Sequence, residues 1–270
     1  MTQSLCRALL ALLTIIPVVV RPQDGPREGA KAQWVYLRRM NAVLFATAMD
    51  LRIQHAEGEK GDAQLIVVYP NDSMVRVAHR RWLGEQPLVL IDTIIPGKPG
   101  FAYFRFGVEA DIKIDRPPRG DPNVLPPAAL SPGEPPSLSA PVFIRALAGG
   151  DPLPQQPTLA LERMSSHQTV PRHTPIGIYF ESYGIAPRDS VTILVTVRQA
   201  RSRVAMVTNR WLDAWPSTGS LVLSDAGVPI VARSFLLDVS HLALGAYEVE
   251  LAVVLKNGTE VRSSAGFIVK

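Results

Sequence analysis

The chain contains 270 residues, of which 47% are hydrophobic and 19% are charged, and its formal net charge at pH 7 is +4. The hydrophobic content is large enough to build a core, which excludes a globally disordered chain and leaves room for one or two domains. Because positive and negative charges are interspersed rather than gathered in blocks, we expect no nucleic-acid partner.

The N-terminal residues have the pattern of a secretory signal peptide. Arg7 precedes an apolar run at residues 8–20, and a polar stretch follows. The run is too short to span a bilayer. We therefore predict that residues 1–32 are a signal peptide with a short disordered leader and that no transmembrane span remains after processing. An uncleaved N-terminal anchor is the competing interpretation, because the cleavage pattern is weak.

The cysteine content indicates the compartment. Cys6 is the single cysteine and precedes the apolar run, so the processed chain would contain no thiol. Small eukaryotic secreted domains usually depend on disulfides, whereas this chain would have none. We therefore expect a secreted or periplasmic protein of a bacterium.

Residues 33–148 predict a first β-sandwich module. Residues 33–46 fit both helical and strand spacing imperfectly, and we expect a strand from about Ala46. Further strands are predicted at residues 64–69, 74–78, 88–95 and 101–112. The proline-rich insertion at 115–136 cannot join a central sheet. The apolar residues 137–147 are expected to form an edge strand that closes this module.

Residues 149–270 predict a second β-sandwich module. Residues 175–184 are apolar on both faces apart from Glu181, which is typical of a central strand. Residues 247–255 and 261–269 alternate with the period of half-buried strands. Between them, Asn257-Gly258 predicts a tight two-residue hairpin turn, because both residue types tolerate positive φ.

The residues that lead into the first of these strands resemble a known corner. Leu242-x-x-Gly245-x-Tyr247 is similar to the tyrosine corner of immunoglobulin-like and fibronectin type III-like sandwiches. In those folds the Tyr hydroxyl bonds back to the preceding backbone, and antibody domains carry a Cys where this chain has Val249. The resemblance is therefore to the disulfide-free branch of this fold. Together with the strand pattern, it leads us to expect an all-β chain of two immunoglobulin-like β-sandwich modules joined by a proline-rich segment. The alternative is that Tyr247 is an ordinary core aromatic.

A second resemblance covers roughly residues 158–270. Residues 178–185, the corner at Tyr247 and the closing strand with Phe267 resemble the C-terminal sandwich of bacterial secreted proteins that carry a GWxTD box. The box itself is absent, because residues 210–213 read Arg-Trp-Leu-Asp. The resemblance implies no catalytic residues.

No chemical motif indicates an enzyme. The histidines are far apart in sequence, and the chain lacks nucleophile-elbow, phosphate-loop and dinucleotide motifs. We therefore expect no catalytic residue, no metal and no cofactor. Glu181 is a candidate binding-groove carboxylate, or else an edge or outward residue paired with a cross-strand Arg. Trp211 and Trp215 are candidates for stacking on a sugar or a partner, or else they fill the core.

These expectations favour an exported, non-catalytic protein that acts through an unknown protein or envelope partner. One alternative is a periplasmic assembly chaperone, which uses two immunoglobulin-like domains and offers an edge strand to its clients. Paired cations in the cleft between the domains would favour it. The other alternative is a carbohydrate-binding module, for which adjacent Trp211 and Trp215 on an open face would be the sign.

Overall fold

A computed structural model describes residues 32–49, 61–68, 74–82, 88–94, 101–108, 127–145, 153–166, 168–185, 189–200, 205–213, 220–225 and 227–270. Nearly all of its secondary structure is β-strand, which confirms the all-β class. The expected signal peptide, most of the proline-rich insertion and Trp215 lie outside the described residues. The division into two modules stays a prediction.

The strands follow in chain order, with one short helix between the eighth and the ninth. The elements are β1 (Ala32–Arg39), β2 (Ala42–Met49), β3 (Gly61–Val68), β4 (Met74–Trp82), β5 (Leu88–Ile94), β6 (Phe101–Val108), β7 (Ser137–Leu138), β8 (Val142–Ile144), α1 (Pro157–Glu162), β9 (Thr169–Val170), β10 (Ile176–Tyr183), β11 (Val191–Gln199), β12 (Ala205–Asp213), β13 (Ser220–Asp225), β14 (Val228–Leu237), β15 (Gly245–Leu255) and β16 (Glu260–Val269).

Two five-stranded sheets in the C-terminal half share one apolar core. The first has the order β13-β14-β10-β7, with β8 also paired to β10, and the second has the order β12-β11-β15-β16-β9. Phe180 of β10 and Leu251 of β15 are fully buried in this core, with the rings of Tyr247 and Phe267 stacked at 5.6 Å. Strands from the N-terminal half form two three-stranded sheets, β1-β2-β5 and β4-β3-β6.

Strand β10 is buried along its whole length because it has a layer on each face. Ile178 and Phe180 belong to the core between the two five-stranded sheets. Tyr179, on the opposite face, belongs to a second cluster with Val35 and Leu37 of β1. A strand covered on both faces needs apolar residues at successive positions rather than at alternate ones. The central strand expected at residues 175–184 is therefore present as β10.

Residues 33–46, whose sequence fits a helix and a strand, form strands. β1 and β2 pair in an antiparallel hairpin, and the strand structure begins well before the expected start at Ala46. Asn41 adopts φ of 60° in the connection, a conformation that Asn tolerates better than most residues. Buried residues occur on both faces of β2, including Phe45 and Ala46, and this obscures the period of two in the sequence.

Residues 137–147 do not close the N-terminal module as expected. β7 and β8 both pair antiparallel with β10, and Phe143 lies opposite Ile178. The side chain of Phe143 is fully buried in the core of the C-terminal sheets, whereas Val142 and Ile144 belong to the cluster around β1. The apolar character of this segment therefore reflects burial on both of its faces, one in the core of the C-terminal sheets and the other in the cluster around β1.

The hairpin between β15 and β16 has a longer turn than the predicted two-residue one. The N–H of Leu255 donates to the carbonyl of Thr259 at 2.9 Å, so three residues form the loop. Gly258 has φ of 83°, but Asn257 does not have positive φ. A two-residue type I′ turn needs positive φ at both central residues, whereas a three-residue loop needs it only at the last one. The two-residue prediction is wrong for this reason.

Candidate functional site

Glu181 lies in the middle of β10, and its side chain is fully buried. Its backbone is fixed on both sides, because Ala232 of β14 lies opposite in one ladder and Ser139 bonds it on the other side. The N–H of Ser139 donates to the Glu181 carbonyl at 2.8 Å, and the Glu181 N–H donates to the Ser139 hydroxyl oxygen at 2.9 Å. The expectation of an edge or outward position for Glu181 is therefore wrong.

The Glu181 carboxylate accepts hydrogen bonds from three side chains. Arg39 of β1 binds it with both terminal guanidinium nitrogens, Nη1 to Oε2 at 2.7 Å and Nη2 to Oε1 at 2.8 Å. The hydroxyls of Tyr179 and Tyr183 donate to Oε1 and Oε2 at 2.7 and 3.0 Å. Each carboxylate oxygen thus receives one charge-assisted bond from Arg39 and one from a Tyr.

Burial of the charged cluster explains the protonation states of its members. Burial raises the pKa of Tyr179 and of Tyr183, and the negative charge of Glu181 raises both further. Burial works to lower the pKa of Arg39, but the hydrogen bonds to Glu181 and its charge outweigh this and leave that pKa raised. The cluster therefore contains hydroxyls that keep their protons and a guanidinium that keeps its charge.

The N-terminal strand is bonded to the C-terminal half at further points. The side-chain amide nitrogen of Gln33 donates to the carbonyls of Phe143 and Ser165, both at 2.8 Å, and its oxygen accepts from the Phe143 N–H at 2.8 Å. Arg38 forms an ion pair with Glu134. Polar groups of β1 are thus satisfied by groups 96 to 132 positions away along the chain, which fixes the position of β1 against the C-terminal half.

The residues around Glu181 were missed by sequence reasoning, although part of the signal was visible. Tyr179, Glu181 and Tyr183 recur with a period of two, so a strand must place them on one face. Two hydroxyls beside a carboxylate on a covered face indicate a buried polar cluster. Nothing in the sequence identifies Arg39 as the partner, because the pairing depends on the way β1 packs on the sheet.

A cleft of about 200 Å³ lies next to this cluster. Tyr183 and Gly184 at the end of β10 contribute to its walls, together with Glu134 of the loop before β7 and Pro229 of β14. The carboxylate of Glu134 is already paired with Arg38. The acidic side chain in the cleft wall is therefore already neutralised by an arginine.

The corner residues lie together at the start of β15. The Tyr247 hydroxyl donates to the carbonyl of Ala243 at 2.9 Å, and the Tyr247 ring is buried in the core. Leu242 is buried in the same core. Gly245 has φ of 147°, which lies in the region that favours glycine. A residue with a side chain would be strained at this position.

The two tryptophan candidates are not brought together within the described part of the chain. Trp211 lies on β12 opposite Ile193 of β11, and Trp215 lies outside the described residues. Their role in binding stays a prediction.

Neither a metal cluster nor a membrane-spanning helix occurs in the part of the chain that the structure describes. No three of its His, Cys, Asp and Glu side chains are placed to hold a metal ion. None of its helices is long and apolar enough to cross a membrane. No protein-family model matches the chain, and no curated protein matches it in sequence.

Proposed function

We propose that residues 137–270 form an immunoglobulin-like β-sandwich. The strand order supports this assignment. Labelled as in an immunoglobulin domain, β13-β14-β10-β7 follows the order D-E-B-A, and β12-β11-β15-β16 follows the order C′-C-F-G. The hydroxyl bond of Tyr247 at the start of β15, the strand that takes label F, is a further support. We extend the proposal to an exported chain with a second, N-terminal sandwich.

We further propose that the protein is non-catalytic and acts by contacting a protein or another envelope component. The observation that carries this proposal is that both carboxylate oxygens of Glu181 are fully engaged in hydrogen bonds within the chain. Its two oxygens accept bonds from Arg39, Tyr179 and Tyr183, so the most deeply buried acid among the described residues holds β1 against β10 and has no free oxygen directed at a substrate. We therefore expect partners to bind at strand edges and loops, where β-sandwiches commonly bind other molecules.

The chaperone alternative receives less support. It calls for paired cationic residues in the cleft between the domains, and Arg38 and Arg39 lie next to each other where β1 meets the C-terminal half. Arg39 is engaged by Glu181, and Arg38 is engaged by Glu134 and by the carbonyls of Ala128 and Ala129. Neither guanidinium is available without breaking these contacts. We therefore keep the general interaction protein as the proposal.

Export is tested by N-terminal sequencing of the protein isolated from its native host. Cleavage should leave a first residue between about positions 20 and 33, because the apolar run and the polar segment after it set these limits. Recovery of the uncleaved chain from the cytosol would contradict the proposed compartment.

The interaction proposal is tested by placing a photo-crosslinking amino acid at exposed sites in the native host. Leu244 at the corner and Leu159 on α1 are suitable, since both are large exposed apolar residues. At least one site should yield a crosslinked protein, and the Glu181→Gln variant should give the same product whenever it folds. An enzymatic activity lost in folded Glu181→Gln would contradict the proposal, because Glu181 would then act in chemistry.

A further inference from the structure

The core between the two five-stranded sheets is built without β1 and β2. Its buried members, in the part of the chain that the structure describes, all lie between Phe143 and Val269. We refer to the sheet β1-β2-β5 as the β1 layer. Among the described residues, no strand ladder joins the β1 layer to either five-stranded sheet. Moving the β1 layer away from β10 would therefore break no ladder and would leave this core in place.

The apolar contribution of β1 and β2 to the interface with β10 is modest. The buried residues that these two strands supply to the cluster around β1 are Val35, Leu37, Ala46 and Ala48. Stabilisation by burial scales with apolar area, and two of these four side chains are the single methyl group of Ala. Separating the β1 layer should therefore cost less free energy than disrupting the larger core around Phe180.

The ion pair across this interface resists substitution more strongly than it resists opening. In the closed arrangement Arg39 and the fully buried Glu181 neutralise each other. When the layers separate, both charges return to water, and their hydration offsets much of the lost attraction. Replacing Arg39 brings no such compensation, because Glu181 then stays buried without a counter-charge. The ion pair is therefore compatible with an opening that moves both partners into water.

We propose that the β1 layer is a strap that opens from β10 as a unit while the two five-stranded sheets stay folded. The ladder between β1 and β2 lies within the layer, so it is kept in the open form. Opening uncovers the face of β10 on which the Glu181 carboxylate lies between the hydroxyls of Tyr179 and Tyr183. The opening is a property of the folded chain and does not depend on the interaction proposed above.

Three backbone N–H groups donate hydrogen bonds across the interface and lose their acceptors when the strap opens. They are the N–H of Arg38 to the Tyr183 hydroxyl at 3.1 Å, that of Leu130 to the Arg39 carbonyl at 2.9 Å, and that of Phe143 to the side-chain oxygen of Gln33 at 2.8 Å. The three donors lie in three separate segments of the chain. A single opening free energy shared by all three would therefore indicate one concerted motion.

The first test is amide hydrogen exchange of the full chain, resolved by residue with NMR. The amides of Arg38, Leu130 and Phe143 should share one protection factor, at least about tenfold lower than that of Val195, whose strand β11 is paired on both sides. Low concentrations of urea should accelerate exchange at Val195 more steeply, because whole-chain unfolding exposes more surface than the opening does. Equal protection and equal urea dependence at all four amides would overturn the proposal.

Two substitutions distinguish the opening from whole-chain unfolding. Leu251→Ala weakens the core in the closed and open forms alike, so it should accelerate exchange at Val195 about thirtyfold or more and leave the three interface amides unchanged. If Leu251→Ala accelerates the interface amides as much as Val195, the layers do not separate and the proposal is overturned.

Arg39→Met weakens only the closed form, so it should accelerate exchange at the three interface amides about a hundredfold or more. The matched control Arg198→Met, at an ion pair accessible to water, should change their exchange less than about tenfold. Equal effects of the two substitutions would also overturn the proposal. If Arg39→Met does not fold, the parent chain and Leu251→Ala decide the question.

Discussion

The two faces of β10 are buried by different means. On one face, Ile178 and Phe180 pack against apolar residues of β11, β15 and β16, and the hydrophobic effect stabilises the contact without fixed directions. The other face also packs on apolar residues, Val35 and Leu37 of β1, and in addition Glu181 binds Arg39 through hydrogen bonds of 2.7 and 2.8 Å. Apolar contacts have no preferred direction, whereas a bidentate ion pair fixes the distance and orientation of its two partners. The ion pair therefore adds a directional contact to the apolar packing of β1 on β10.

The largest expected effect is the loss of the buried cation. Arg39→Met leaves Glu181 buried and without its counter-charge, which should lower the free energy of unfolding by about 3–5 kcal/mol. Urea denaturation measures this loss. Replacing both residues, in Arg39→Met with Glu181→Leu, should recover much of it, because two apolar side chains leave no unpaired charge.

A matched control uses an ion pair at the surface. Arg198→Met breaks the 3.1 Å ion pair with Glu250, in which both side chains are accessible to water. The free energy of unfolding should therefore fall by at most about 1 kcal/mol. If Arg39→Met is no more costly than Arg198→Met, the polar face of β10 does not stabilise the fold.

The apolar face gives the next largest effect. Leu251 of β15 is fully buried in the core between the sheets, and Leu251→Ala should lower the free energy of unfolding by about 2–5 kcal/mol through lost burial and the cavity left behind. The loss should add to that of Arg39→Met, because the two sites lie on opposite faces of β10 and share no partner. Strong non-additivity in the urea midpoints would show that the faces are coupled.

The same difference explains how much the sequence could predict. The apolar face is readable, because residues 176–183 and 247–255 carry the composition and period of strands, and both strands are found. The polar face is readable only in part. The period of two places Tyr179, Glu181 and Tyr183 together, but Arg39 is specified by packing between distant strands. The pairing of residues 137–147 was mispredicted for a related reason, since an apolar segment does not identify its neighbour.

Raising the pH should destabilise the polar face selectively. The pKa values of Tyr179 and Tyr183 are raised above the ordinary 10.0 by burial and by the charge of Glu181. These pKa values are higher in the folded chain than in the unfolded chain. The stability linked to the two neutral hydroxyls is therefore complete below pH 10 and is lost as the pH rises through the folded-state pKa values. Near-ultraviolet absorbance of tyrosinate should show both hydroxyls ionising only as the chain unfolds.

A folded variant separates the causes of this shift. Glu181→Gln removes the charge and leaves the burial, so the two hydroxyls should ionise at lower pH than in the parent chain. Tyr36 should be unaffected, because burial alone raises its pKa to about 12. Ionisation of Tyr179 and Tyr183 at their ordinary pKa in the folded parent chain would contradict the described geometry.

The smallest effect concerns a hydrogen bond at the rim of the apolar core. Tyr247→Phe keeps the ring stacked on Phe267 and removes only the partly buried bond to the carbonyl of Ala243. The expected loss is about 1 kcal/mol, against about 3–5 kcal/mol for Tyr247→Ala, which also empties the site. Gly245→Val should be costly as well, because a β-branched residue is strained at φ of 147°. If Tyr247→Phe leaves the stability in urea unchanged while Tyr247→Ala lowers it, Tyr247 contributes only as a core aromatic. The rim of the core is then stabilised by apolar packing, as its interior is, and not by a hydrogen bond.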